Sequence, residues 1–248
     1  VGWLLFDLWG LIFYFAVLAT IVIPLTIGTR RGWAELMRDM GIPVALVACM
    51  LGTLSSALNI TDADQVYSAT SLMLIQIIYG GAIACIGYFF SPEPQAKSNK
   101  LVRKLPVIVS AALFISAILL ISNMFVDISI LFDLTALVIM AFSIFLVLFG
   151  RRPISYELVA QSLLFGSIGC VVVGLIYRFA GFIDQGLITS IVGLMNGLIF
   201  YVLIFVLSHL EDGKQDIDTS LFTWHWLEIS GFLIFMYFAP ETIRETLL

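Results

Sequence analysis

Eight apolar runs, each near the length of a bilayer crossing, follow one another along the chain: Trp3 to Ile27, Gly41 to Leu58, Tyr67 to Phe90, Leu105 to Met124, Ile128 to Phe149, Leu158 to Phe179, Gly186 to Leu207 and Leu221 to Ala239. A helix rises 1.5 Å per residue, so roughly 20 apolar residues cross the hydrocarbon core without leaving backbone groups unpaired. Of the 248 residues, 61% are hydrophobic and 12% charged; soluble domains carry about 25% charged residues. Too little polar surface remains to coat a water-soluble fold. The expectation is an all-α, polytopic transmembrane bundle of about eight spans, one integral membrane domain over 1–248. The last run starts with Trp224, His225, Trp226 and Glu228 and has an interfacial alternative.

Charge supports this threading. Arg30, Arg31 and Arg38 follow the first run, Lys97, Lys100, Arg103 and Lys104 the third, Arg151 and Arg152 the fifth, and Lys214 the seventh. The other loops carry Asp62 and Asp64, Asp127 and Asp184. Ten of twelve basic residues thus share one side, the exceptions being Arg178 and Arg244. The positive-inside rule predicts cytoplasmic basic loops, both termini outside, and a multi-pass protein of the bacterial inner membrane. Trp3, Trp9, Trp33, Trp224 and Trp226 fit interfacial belts. The first run has no basic n-region or A-x-A-like site and reads as a retained helix; a start at Val1 predicts processing or truncation.

Several function classes fall away. No large basic patch favours nucleic acid. Cys49, Cys85 and Cys170 sit in apolar runs and read as free thiols. His209 and His225 are the only histidines, which disfavours a haem or His-rich metal centre. No lysine lies within a span, and G-x-S-x-G, H-E-x-x-H and P-loop patterns are missing. Neither an enzyme nor a cofactor is expected. The expected partners are the lipid bilayer and other membrane subunits or further copies of the chain.

Ionisable groups inside a span are costly and normally face protein or water. Asp7, Asp133 and Glu228 qualify, with an interfacial alternative for each; Asp133 is the best candidate for a cation or proton contact. Gln76, Tyr79, Thr53 and Asn196 join it as candidates to line an ion pathway. The alternative for these neutral side chains is interhelical hydrogen bonding, worth about 0.6 kcal/mol each. Gly80-x-x-x-Ala84 and Gly193-x-x-x-Gly197 offer flat faces for close helix packing.

Three stretches share the form helix, short acidic loop, helix, starting at Leu51, Ile115 and Val172; their aspartates Asp64, Asp127 and Asp184 are 63 and 57 residues apart. They predict three repeated hairpins, or else the short acidic outer loops common to any chain of membrane hairpins. The first, with Met50-Leu51, Leu54, Leu58 and Asp62 and then Leu74-Ile75-Gln76-Ile77-Ile78-Tyr79-Gly80 and Ala84, resembles stator-type ion channels of the MotA/TolQ/ExbB kind. Phe125-Val126-Asp127-Ile128 is similar to that family's other hairpin, and Gly174-Leu175 and Asp184 appear in the third. The family's paired pore threonines fall on Gln76 and Ile77, and Pro43 is a loose counterpart of its proline-marked entrance. The resemblance implies a subunit of an ion-conducting or ion-driven complex whose essential aspartate belongs to a single-span partner. A secondary transporter subunit and a purely structural membrane protein are the other readings.

Overall fold

A computed structural model describes residues 8–29, 31–59, 66–91, 103–125, 128–150 and 156–210. All regular structure among them is helical: α1 (Leu8–Gly28), α2 (Trp33–Asn59), α3 (Val66–Phe90), α4 (Lys104–Phe125), a 3-10 helix (Ile128–Phe132), α5 (Leu134–Gly150), α6 (Tyr156–Phe179) and α7 (Ile183–Ser208). Six of the seven α-helices are long and apolar enough to cross a bilayer, and α5 carries a shorter apolar stretch. The chain is an integral membrane protein built as a helical bundle. The run from Leu221 to Ala239 lies outside the described residues.

Two antiparallel hairpins dominate the packing, α2 with α3 and α6 with α7. In the first, a Cβ on Gly80 would stand 2.7 Å from the Gly41 carbonyl oxygen, and one on Gly41 would stand 3.1 Å from the Ala84 nitrogen. In the second, Gly193 lies against Cys170, and a Cβ on Gly197 would stand 2.6 Å from the Ser167 Cβ. Both small-residue motifs therefore work as packing seams, which is what lipid, with no hydrophobic drive between helices, demands. Gly181 takes a φ of +88° after α6. The Phe182 amide donates to the Tyr177 carbonyl and the Gly181 amide to Arg178, closing a tight left-handed cap that turns the chain into α7.

The second expected hairpin, the one starting at Ile115, does not close. Helix α4 packs along α1, and α5 packs along α6, without an extensive contact between α4 and α5. The acidic loop alone does not make a repeat: the partner of each helix is set by its small residues. Gly28 lies against Pro106 of α4, while Gly166 and Gly169 lie against Met140, Ser143 and Ile139 of α5. The core gathers where α1, α2, α4 and α7 meet, around Tyr14, Leu18, Ile21, Leu36, Met50, Phe114 and Ile191. One end of the bundle carries Arg31, Arg38, Arg103 and Lys104, the basic end; Asp184 marks the acidic end.

Proline shapes the centre. Pro24 lies inside α1 and has no amide to offer the carbonyl four residues back. That carbonyl is Thr20, and Ser110 Oγ of α4 donates to it at 3.0 Å. Tyr14 Oη likewise donates to the Gly41 carbonyl of α2 at 3.1 Å. These two bonds lock α1 onto its neighbours.

Candidate functional site

The fifth span is not one helix. Ile128–Phe132 forms a 3-10 turn, the chain breaks at Asp133, and α5 starts at Leu134. Asp133 stands at the start of α5 rather than inside a helix: its Oδ2 accepts the Ala136 amide at 3.0 Å, the geometry of an N-cap. Cys170 Sγ lies 3.7 Å from the Ala136 carbonyl oxygen, and Ala136 also lies across from Gly193. Gly193 is ten residues into α7, about 15 Å from its acidic-end tip. The break therefore sits well below the tip of the α6–α7 hairpin. Backbone without regular hydrogen bonds is tolerated at such depth only where it is buried in protein or faces water.

Asn196 holds the break in place. Its Nδ2 donates to the Leu131 carbonyl oxygen at 2.9 Å, bridging α7 to the 3-10 turn. Two predicted pathway residues, Asp133 and Asn196, thus meet on one structural feature. The other three belong to the α2–α3 hairpin. Thr53 is buried and donates to the Cys49 carbonyl at 2.9 Å within its own helix, Gln76 is buried, and Tyr79 is half-buried. The structure forms two groups from the five, on neighbouring parts of one bundle linked by the contact of α2 with α7.

At the basic end lies a cluster that the sequence reading missed. Asp39, 1% exposed, pairs with Arg31 and with Arg38, whose Nε is 2.9 Å from Oδ1. The Arg31 guanidinium also stands over the Phe205 ring at 5.5 Å, and the same ring packs edge-on against His209. Burial first, and then the Arg31 charge, lower the His209 pKa from 6.5 to about 4, so its ring is neutral at pH 7. Its Nδ1–H donates to the Phe205 carbonyl at 2.8 Å. The second span starts at Trp33, eight residues before the expected Gly41, and this puts Asp39 inside a helix. The signal was available: an acid beside Arg38 and eight residues after Arg31, just before an apolar run.

Most hydroxyls in the spans donate to a carbonyl three or four residues back. Thr20, Thr26, Thr53, Thr70, Ser143, Ser162, Ser167 and Ser190 all do so. Such groups are neutralised within their own helix and demand nothing from a partner. Among the described residues, no group of three or more His, Cys, Asp or Glu side chains is placed to hold a metal ion. Comparison with protein-family models, curated proteins and solved structures found no match to this chain.

Proposed function

We propose that the chain is a subunit of an ion-conducting or ion-motive-force-driven membrane complex, packing around a partner that carries an ionisable residue. The observation that carries this reading is the broken fifth span, with the Asp133 carboxylate at its break and Asn196 bridging to it. A carboxylate at membrane depth is costly unless it faces a polar path or a cation. The resemblance of the first hairpin to stator-type channels points the same way. Under this proposal the protein crosses the bacterial inner membrane eight times, counting Leu221 to Ala239, and its basic loops are cytoplasmic.

The broken span also favours a second reading, a secondary transporter subunit, since interrupted helices are where transporters bind their coupling ions. Purification from native membranes in mild detergent, followed by cross-linking and mass spectrometry, tests the first reading. The expected product is an assembly of several copies or one with a single-span partner. Reconstituted, that assembly passes protons or sodium ions down an imposed gradient, and Asp133→Asn lowers the flux at least tenfold. A partnerless monomer whose vesicles are ion-tight overturns the reading. Flux that appears only with an added organic solute favours the transporter.

A further inference from the structure

Among the described residues, two buried span hydroxyls are left unsatisfied. Ser122 Oγ of α4 (1% exposed) and Thr189 Oγ1 of α7 (0% exposed) are buried without any hydrogen-bond partner. Their positions on the bundle coincide in height. Ser122 lies eighteen residues along α4 from Lys104, and Thr189 nineteen residues back along α7 from Ser208, about 27 and 28 Å of helix. Both starting points lie at the basic end, since the Arg103 amide donates to the Gly28 carbonyl at 2.9 Å and nearby Arg31 stands on the Phe205 ring. Helices α4 and α7 touch, and the 3-10 turn Ile128–Phe132 packs on both. Thr189 shares a helix face with Asn196, seven residues on, which already bonds that turn.

We propose that this junction of α4, the 3-10 turn and α7 is a binding site for a dehydrated monovalent alkali cation of sodium size. Hard cations take neutral oxygen donors, and two unsatisfied hydroxyls on helices that both pack on the 3-10 turn supply them. Carbonyls released at the end of α4 and in the turn add further donors, as they do at unwound helices generally. A cation in hydrocarbon also needs a compensating charge, and Asp133, the residue that follows the turn, provides a single one. One carboxylate and neutral oxygens match a monovalent rather than a divalent ion. The site names the ion of the pathway proposed above and rests on that reading for its role, whereas binding itself is measured apart from flux.

The purified full chain, or its native assembly, is melted in NaCl, LiCl, KCl and choline chloride at equal ionic strength, and bound radioactive sodium is counted. The expected result is a melting point several degrees higher in sodium than in choline, with saturable sodium binding. Ser122→Ala and Thr189→Val each weaken that binding at least tenfold, and Asp133→Asn does the same. Identical melts in every salt without saturable binding overturn the proposal, and this comparison needs no variant to fold. Sodium binding indifferent to both hydroxyl substitutions overturns it too. Variants that gain stability in a salt-independent way mark a buried water instead, and the proposal fails. Flux without sodium binding removes this site but leaves the proposed function; binding without flux does the reverse.

Discussion

Asn196 lies at the middle of α7 and His209 just past its end, and each is tied to a particular bond. Asn196→Ala leaves the buried Leu131 carbonyl without its donor, a loss of about 1–3 kcal/mol. Unfolding in mixed micelles measures it, and Asn196→Gln, which keeps the amide, is expected to recover part of the difference. His209 is read by pH. Its folded pKa is lowered from 6.5 to about 4, so the unfolded chain takes up a proton that the folded one refuses. The stability it contributes is complete above pH 6.5 and is lost as pH falls towards 4. Melting points recorded between pH 7.5 and 4.5 therefore fall more for the native protein than for His209→Gln; equal slopes refute the assignment. At this scale the sequence revealed Asp133 and Asn196 through their rarity in apolar runs. That Ser122 and Thr189 are buried without a partner was not legible. Burial and the absence of a partner are properties of the neighbouring helices, which a single run does not contain.

Helix positions were far more legible than helix partners. Hydropathy sets where a chain crosses a membrane, because each backbone group must be satisfied within its own segment. Packing is decided instead by a few atoms at a seam, and so α4 and α5, consecutive and joined by an acidic loop, settle on different neighbours. Adjacent glycines isolate this effect. A Cβ on Gly80 collides with the Gly41 carbonyl at 2.7 Å, while one on Gly81 meets nothing within 4 Å. Gly80→Ala is expected to destabilise by about 1–3 kcal/mol through overpacking, and Gly81→Ala to stabilise by up to about 1 kcal/mol through helix propensity. Similar melting points for the two variants refute the α2–α3 seam. Pro24 and Ser110 form a second test. Ser110→Ala removes the only described donor to the Thr20 carbonyl and costs about 1–2 kcal/mol. In a Pro24→Ala background the helix regains its own amide at that place, so the same substitution costs less, and a double-mutant cycle reads the coupling.

The described bundle is polarised along its long axis, and under the proposed function that polarity gives it a direction. Arg31, Arg38, Arg103 and Lys104 gather at one end, where Trp33, 46% exposed, stacks near Phe90 at a centroid distance of 6.0 Å. The break at Asp133 and the buried hydroxyls lie towards the other. Under the proposed function, an ion entering by the acidic end meets the polar feature first, and then the core around Tyr14, Met50, Phe114 and Ile191, with no described charge until the Asp39 cluster. The proposed orientation, with the basic end cytoplasmic, rests on the same asymmetry, because cationic loops resist translocation. Single cysteines at Lys104 and Asp184, in a chain with Cys49, Cys85 and Cys170 replaced by alanine or serine, report it directly. A membrane-impermeant maleimide applied to intact cells is expected to label Asp184→Cys alone, and Lys104→Cys only after lysis. Labelling both residues from one side is incompatible with α4, α5 and α6 each crossing once, since an odd number of crossings between the two positions puts them on opposite faces.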